Sequence, residues 1–515
     1  MSGCLAVLYG IGILFSSQSF LFLPFFISPM KVYFVVLSLL ICLPVFSINR
    51  DSVAYDVARR CVGAKKCVVV KKTDAYSIYQ NAEGIGFSIV AHNADGNVRL
   101  LGYSTGSSWI EEEMPEALKG WLRGIKTYML NTTVSSQSDR DHVAPLLTSH
   151  WHQNSPYNDL APVIEDGNIK TVAGCVAIAG AQIVYYWRKD NPEALLKDTP
   201  VYPYGTAPVT YSIPRGTSNK WELIHDSYDI TSSEESRAAV AQLVYAVGTG
   251  SYLDYGSSTG GQIAQAKNAI YSQYRLLGEN AIKAEYSQED WEKLIYSELL
   301  AKRPVMYSGN TGGDGHAFVI DGYDASNNLF HINFGWGGSG DGYYAIDDVA
   351  GVGGYCIGQA CVYNIRPKYR NISINYKLGA IDVSEGTVDV AFSVINNSTL
   401  PIENLYVYDI GNSDDVTLDS PISSLQTKID NDGQLYVVNM TIPVTDFTGK
   451  MQIALTDRSS YIFTTFTLNL ATKISSLVEN SNFSEIYYVN GTRKDRLSKG
   501  INILRCGGAT IKICR

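Results

Sequence analysis

Apolar residues change rhythm several times along the chain. The first 48 residues carry three dense apolar runs, "VLYGIGILF", "FLFLPFFI" and "MKVYFVVLSLLICLPVFS". No Lys or Arg precedes Lys31. A short basic start followed by the apolar run Met30–Ser47 is the build of a secretory signal. The pattern predicts a signal or targeting segment over 1–48, with Met30 as the true start. The rival expectation is a membrane anchor, because the upstream runs are also apolar. Pro24 and Pro29 interrupt them, which favours the signal and leaves no permanent membrane span after its removal.

From 49 to 138 the pattern predicts a separate α+β unit. "DSVAYDVARRCV" reads as a helix, and "KKCVVVKK", "AYSIYQN" and "GIGFSIVAHN" as short strands. In "MPEALKGWLRGIKTYML" the apolar residues Leu118, Trp121, Leu122, Ile125 and Met129 recur with helical spacing, and Pro115 suits a helix start. The polar stretch "NTTVSSQSDRDHVAP" (131–145) reads as an exposed linker open to proteolytic nicking. A region over 139–368 holds "TVAGCVAIAGAQIVYYW" (Thr171–Trp187), apolar nearly all round and so a buried helix, followed by β-rich sequence full of Gly. Over 369–472 strict alternation in short runs such as "TVDVAFSVINN" and "GQLYVVNMTIPV" predicts an all-β sandwich. Residues 473–515 form a last segment.

Composition narrows the function classes. A net charge of −9 leaves no basic face for phosphates, so nucleic acid is not an expected partner. There is no Walker loop, HExxH or CxxC pair, and no cofactor is expected. Nine Cys are too few for a disulfide-built scaffold of this length. Cys356/Cys361 and Cys506/Cys514 are read either as local bridges or as free structural thiols.

Cys175 stands at the start of the apolar helix, straight after Gly174. Unpaired N–H groups and the positive end of the helix dipole favour a thiolate there. A thiolate nucleophile needs a base, an orienting group and oxyanion donors. His316 follows a Gly-rich loop and opens the strand "HAFVIDGY", 141 residues after Cys175. Asn333, on the returning strand "LFHINFG", is the expected acceptor for the imidazole N–H, and Trp336 the aromatic that shields it. Gln153, 22 residues before the Cys, supplies a side-chain amide that pairs with the Cys175 N–H as an oxyanion hole. His152 and His331 are read as structural or secondary. Tyr255 and Gly256, in "YLDYGSSTGG", and Gly313 and Gly315, before His316, are the expected cleft walls.

The stretches "HQNSPYN", "AGCVAIAGAQIVYYW", "YLDYGSSTGG", "RPVMYSGNTGGDGHAFVIDGYD", "FHINFGWGGSGDGYYAID" and "QACVYNIRP" resemble the streptopain family of secreted bacterial cysteine peptidases, peptidase family C10. The resemblance implies an α+β fold: a papain-like cysteine peptidase domain, preceded by an α+β propeptide and followed here by the all-β sandwich. It implies endopeptidase action on protein or peptide substrates, with Cys175 as nucleophile, His316 as general base and acid, and Gln153 as oxyanion donor. Asn333 matches the Asn of the family's strand motif, while Phe334 stands where the family usually has Trp. The upstream unit resembles the family's inhibitory propeptide, implying a zymogen opened near 131–142. "YYVNGTRKDRLSKGINIL" resembles C-terminal sorting tails of secreted Bacteroidetes proteins, which places the protein outside the cell or on its surface. A cell-wall amidase, a transglutaminase, or a surface binding protein with a vestigial peptidase domain are the alternatives.

Overall fold

The computed structural model describes residues 50–92, 98–125, 140–164, 169–203, 205–310, 315–346, 357–382, 385–411, 420–446, 450–457 and 462–470, with short strands within 485–514. The expected targeting segment lies outside the described residues. Among those described, no helix is long and apolar enough to cross a membrane.

The N-terminal unit runs α1 (Arg50–Cys61), β1 (Cys67–Lys72), β2 (Tyr76–Asn81), β3 (Phe87–His92), β4 (Val98–Ser104) and α2 (Glu116–Gly124). Each expected element is present. The following region begins with the small hairpin β5 (Val163–Ile164) and β6 (Ile169–Lys170). It continues with α3 (Cys175–Tyr186), α4 (Glu234–Gly250), α5 (Ile263–Tyr274), β7 (Leu276–Ile282) and α6 (Gln288–Leu300). β8 (Val305–Asn310), β9 (Gly315–Asp324), β10 (Leu329–Asn333), β11 (Gly342–Tyr344) and β12 (Ile357–Pro367) complete it.

Three of those helices, α4 to α6, fall where β-rich sequence was expected. Two carry a legible start. Ser233 accepts from the Ser236 N–H and Ser287 from the Asp290 N–H, each satisfying an orphan donor of the first turn. Both lie in short Ser- and acid-rich stretches, "SSEES" and "SQED", that open the helix.

One antiparallel sheet joins the N-terminal unit to this region, in the order β1-β2-β3-β4-β11-β10-β9-β8-β12-β7. The seam is β4 on β11, with Tyr103 opposite Tyr343 and Gly102 opposite Tyr344. α3 packs on α4, α5 and β9. Ten of its twelve residues are buried, as an all-round apolar helix must be. That core holds α3 rigidly, which matters because its first residue is Cys175.

The region from 369 onward forms two sheets, β13 (Ile372–Asp382), β14 (Thr387–Asn396) and β17 (Leu435–Pro443) in one, and β16 (Ser423–Ile429), β15 (Ile402–Asp409), β18 (Lys450–Thr456) and β19 (Ile462–Asn469) in the other. Alternate residues such as Val388, Val390, Phe392 and Val394 are fully buried in a core shared with Leu405, Val407, Ile453 and Leu455. Four short strands follow, β20 (Glu485–Tyr487), β21 (Arg493–Lys494), β22 (Ile501–Cys506) and β23 (Ala509–Cys514). Their register sets Cys506 opposite Ala509 and Cys514 opposite Ile501. The two positions therefore sit at opposite ends of a hairpin's backbone. Cys361 is a free, buried thiol, and Cys356 lies outside the described residues.

Candidate active site

Gly174 caps α3 with φ +90°, a conformation that L side chains rarely adopt. A Cβ there would lie 2.8 Å from Thr259 Cγ2. The lead-in is fixed on both sides: the Ala173 N–H donates to the Gln153 carbonyl at 2.9 Å, and Thr259 Oγ1 donates to the Val172 carbonyl at 2.7 Å. Cys175 is thus delivered at the first turn of a buried helix, partly exposed to a cleft of about 740 Å³.

His316 is the second residue of β9, paired with Gly309 of β8. It is 8% exposed and lines the same cleft. Its Nε2 lies 3.0 Å from the Phe334 carbonyl oxygen. A carbonyl only accepts, so Nε2 carries the proton and Nδ1 is the nitrogen left for the thiol. The Cys175 Sγ accepts from the Ala317 N–H at 3.4 Å and is also bonded by the Val176 amide and the His316 ring. Burial acts to raise the Cys175 thiol, but the facing His316 charge and these hydrogen bonds together hold it below its ordinary value of 9.0. Burial acts to lower His316, while the thiolate opposite and the Phe334 carbonyl hold it above 6.5. Each group therefore shifts the other toward its charged form.

The acceptor at His316 Nε2 is not the Asn333 side chain, whose polar atoms are engaged elsewhere. Its Oδ1 accepts from Gln182 Nε2 (3.1 Å) and from the Gly335 N–H (3.0 Å), and its Nδ2 donates to the Ser149 carbonyl (2.8 Å). The residue is 3% exposed and faces α3. The orienting acceptor is instead the backbone carbonyl of Phe334. Asn333 still acts on it at one remove, because the Gly335 N–H and the Phe334 carbonyl belong to the same peptide group.

Trp336 lines the cleft and meets the His316 ring edge-on, centroids 6.4 Å apart at 72°. Its other neighbour is His152, 5.5 Å away. His152 Nδ1 accepts from the Asn154 N–H at 3.1 Å, and burial lowers its pKa. Gln153 lines the cleft with Cys175. His331 lies off the cleft, its Nδ1 2.6 Å from Asp321 Oδ1.

Of the expected walls, Gly315 is in place, and Gly313 lies outside the described residues. Tyr255 is 1% exposed, packed in the core beneath, and Gly256 is buried beside it. The wall is made by the residues that follow, Ser257–Gln262. An aromatic side chain was drawn into the core, and the exposed turn after it was left at the surface.

Sequence reasoning missed the Phe334 carbonyl, since a main-chain atom has no residue signature. It also missed Gln182, which a closer look could have found as the one polar side chain inside "VAIAGAQIVYY". Among the described residues no group of His, Cys, Asp and Glu could hold a metal ion.

Comparison with known proteins bears on this constellation. Residues 151–344 match the Peptidase C10 family. Streptopain from Streptococcus pyogenes is 32% identical over 327 residues, covering 56% of this chain and 80% of that protein. The thiol protease/hemagglutinin PrtT of Porphyromonas gingivalis is 27% identical over 325 residues, covering 57% of this chain and 37% of that one. Among solved structures, a prointerpain A fragment from Prevotella intermedia superposes with a TM-score of 0.50 at 28% identity, covering 58% of this chain and 97% of that fragment. With 32% identity over four-fifths of streptopain and the Peptidase C10 match across the cleft, this chain belongs to the streptopain (C10) family and is a cysteine peptidase.

Proposed function

We propose that the chain is an exported endopeptidase made as a zymogen. Cys175 attacks the scissile carbonyl as thiolate, and His316 protonates the leaving amine and then activates water against the thioester. The Gln153 amide and the Cys175 N–H hold the oxyanion. The observation that carries this reading is the imidazole anchored through Nε2 to Phe334, which leaves Nδ1 to the Cys175 sulfur.

Residues 49–138 act as an intramolecular inhibitor, 139–368 as the catalytic domain, 369–472 as an Ig-like sandwich that serves as spacer, and 473–515 as a sorting-type tail. Support for the inhibitor comes from α2, whose Glu116 and Ala117 line the cleft itself. Residues 1–48 direct export, so the protein acts outside the cell or on its surface.

The test is Cys175→Ala. The variant folds, loses casein cleavage, stays full length where the wild-type chain trims itself, and no longer reacts with an epoxide thiol-protease inhibitor. Cleavage retained by the variant removes the nucleophile assignment. Trimming at the wild-type rate shows that another protease opens the zymogen.

A further inference from the structure

The carbonyl that orients His316 is borne by a segment with little stiffness of its own. After Phe334 the chain reads Gly-Trp-Gly-Gly-Ser-Gly-Asp, and Gly335, Gly337, Gly338 and Gly340 all have positive φ. Asn333 Oδ1 holds the Gly335 N–H, and Gly337 N–H donates to the Trp151 carbonyl, but the glycines leave the loop's closure on Phe334 with several backbone conformations within reach. A side chain closes it. Asp341 Oδ1 accepts from the Phe334 N–H at 2.8 Å, tying the loop's last residue to its first. Asp341 is 9% exposed, and its Oδ2 faces His150 Nδ1 at 3.7 Å. The same loop is tied from outside: Gly340 N–H donates to Ser107 Oγ, and the Asp341 carbonyl accepts from Ser104 Oγ.

We propose that Asp341 is a positioning residue for the peptide-bond cleavage. Its carboxylate holds the Phe334 amide and so fixes the carbonyl that sets the tautomer and ring angle of His316. The proposal rests on the reading of Cys175 and His316 as the catalytic pair. Asp341 acts on neither side chain of that pair directly; it works through one residue of main chain. Without it the carbonyl is held from the Asn333 side alone, a smaller fraction of imidazoles faces the sulfur, and turnover falls while the cleft walls that bind peptide stay in place.

The experiment compares the processed wild-type enzyme, where Asp341 keeps its bond to the Phe334 N–H after the Ser104 and Ser107 ties leave with the N-terminal unit, with Asp341→Ala, Asp341→Ser and Asp341→Asn on a small peptide substrate. Ala removes the acceptor, Ser is too short to reach the amide, and Asn keeps an acceptor oxygen without the charge. Expected are a loss of about tenfold in kcat for Ala and Ser with KM within about twofold, and recovery to within about threefold of wild type for Asn. Iodoacetamide alkylation of Cys175 then needs a higher pH in the Ala and Ser variants than in wild type. If Ala does not fold, the Ser variant carries the test. Wild-type kcat in Ala or Ser overturns the proposal, and so does an Asn variant as impaired as Ala, since the hydrogen bond would then not be what matters. An active Cys175→Ala control sinks the underlying dyad instead, so the two failures are told apart.

Discussion

At the scale of single residues the site sets a thiol against an imidazole, and its pH behaviour follows from how each shifts the other. Cys175 is held below 9.0 and His316 above 6.5. Both directions favour the thiolate facing a protonated imidazole over the neutral pair. Alkylation of Cys175 is expected to rise at lower pH than for a free thiol, and kcat/KM to fall as His316 deprotonates on the alkaline side. An alkylation profile centred on an ordinary thiol value contradicts the couple. Gln153→Ala, on the proposed oxyanion role, lowers kcat by about 10²–10³ with little change in KM; a loss confined to KM assigns Gln153 to substrate binding instead. That Cys175, His316 and Gln153 line one cleft was legible because each stands in a recognisable local setting. Asn333 was named for a place that the Phe334 carbonyl takes. Side-chain chemistry suggested an amide oxygen beside an imidazole N–H, but the strand turns Asn333 toward Gln182 and Ser149 and offers the next carbonyl in its place.

At the scale of elements, alternation and helical period located the strands and the helices α1 to α3. They failed for α4 to α6; in α4 and α6 the signal lay in caps rather than in periodicity, and α5 has no side-chain cap. They also misread part of the linker. Residues from Arg140 onward form a strap on β9: Val143 exchanges backbone hydrogen bonds with Tyr323 (2.9 and 2.8 Å), and the Leu146 and Leu147 N–H groups donate to Asp321. Arg140 lies over the Tyr296 and Tyr323 rings and pairs with Glu292 at 3.5 Å. A protease requires an extended, unpaired segment, so the processed enzyme is expected to begin no later than Arg140, read by N-terminal sequencing; a start beyond Val143 contradicts the strap. Asp321 is in turn held by His331. Burial acts to lower that imidazole, but Asp321, with Asp341 adding and His150 opposing, leaves it raised above 6.5. A raised folded-state value means the stabilisation is full below 6.5 and fades as pH rises through that value. His331→Gln should therefore lower the melting temperature most in mild acid, with the gap narrowing toward alkaline pH. A gap that widens with pH reverses the sign and rules the pair out.

At the scale of the whole molecule, one ten-stranded sheet runs from the N-terminal unit through the cleft, whereas the β-rich region after 369 is joined outside that sheet, by Leu400 packed on the core around α3 and by a polar cluster. That cluster centres on Asp190, in the turn after α3. Its Oδ1 accepts from the Asn371 N–H at 2.9 Å and its Oδ2 from the Thr399 N–H at 2.8 Å. Arg370, 7% exposed, is tied next to it to Asp457 at 2.7 Å and to Ser398. Alternation in the sequence revealed the sandwich but not this attachment, which depends on one acid meeting two amides from segments 181 and 209 residues away. Asp190→Ala leaves both amides without their acceptor, at a cost of about 1–3 kcal/mol for each one that stays buried. If the sandwich is a spacer, the variant becomes sensitive to limited proteolysis around 368–371 while its activity on a short peptide stays at the wild-type level. The active-site elements hang from α3 and β9, which the substitution leaves packed. Loss of peptide cleavage in a variant whose catalytic region still melts normally would mean instead that the sandwich supports the cleft, because only transmitted strain could then connect the two.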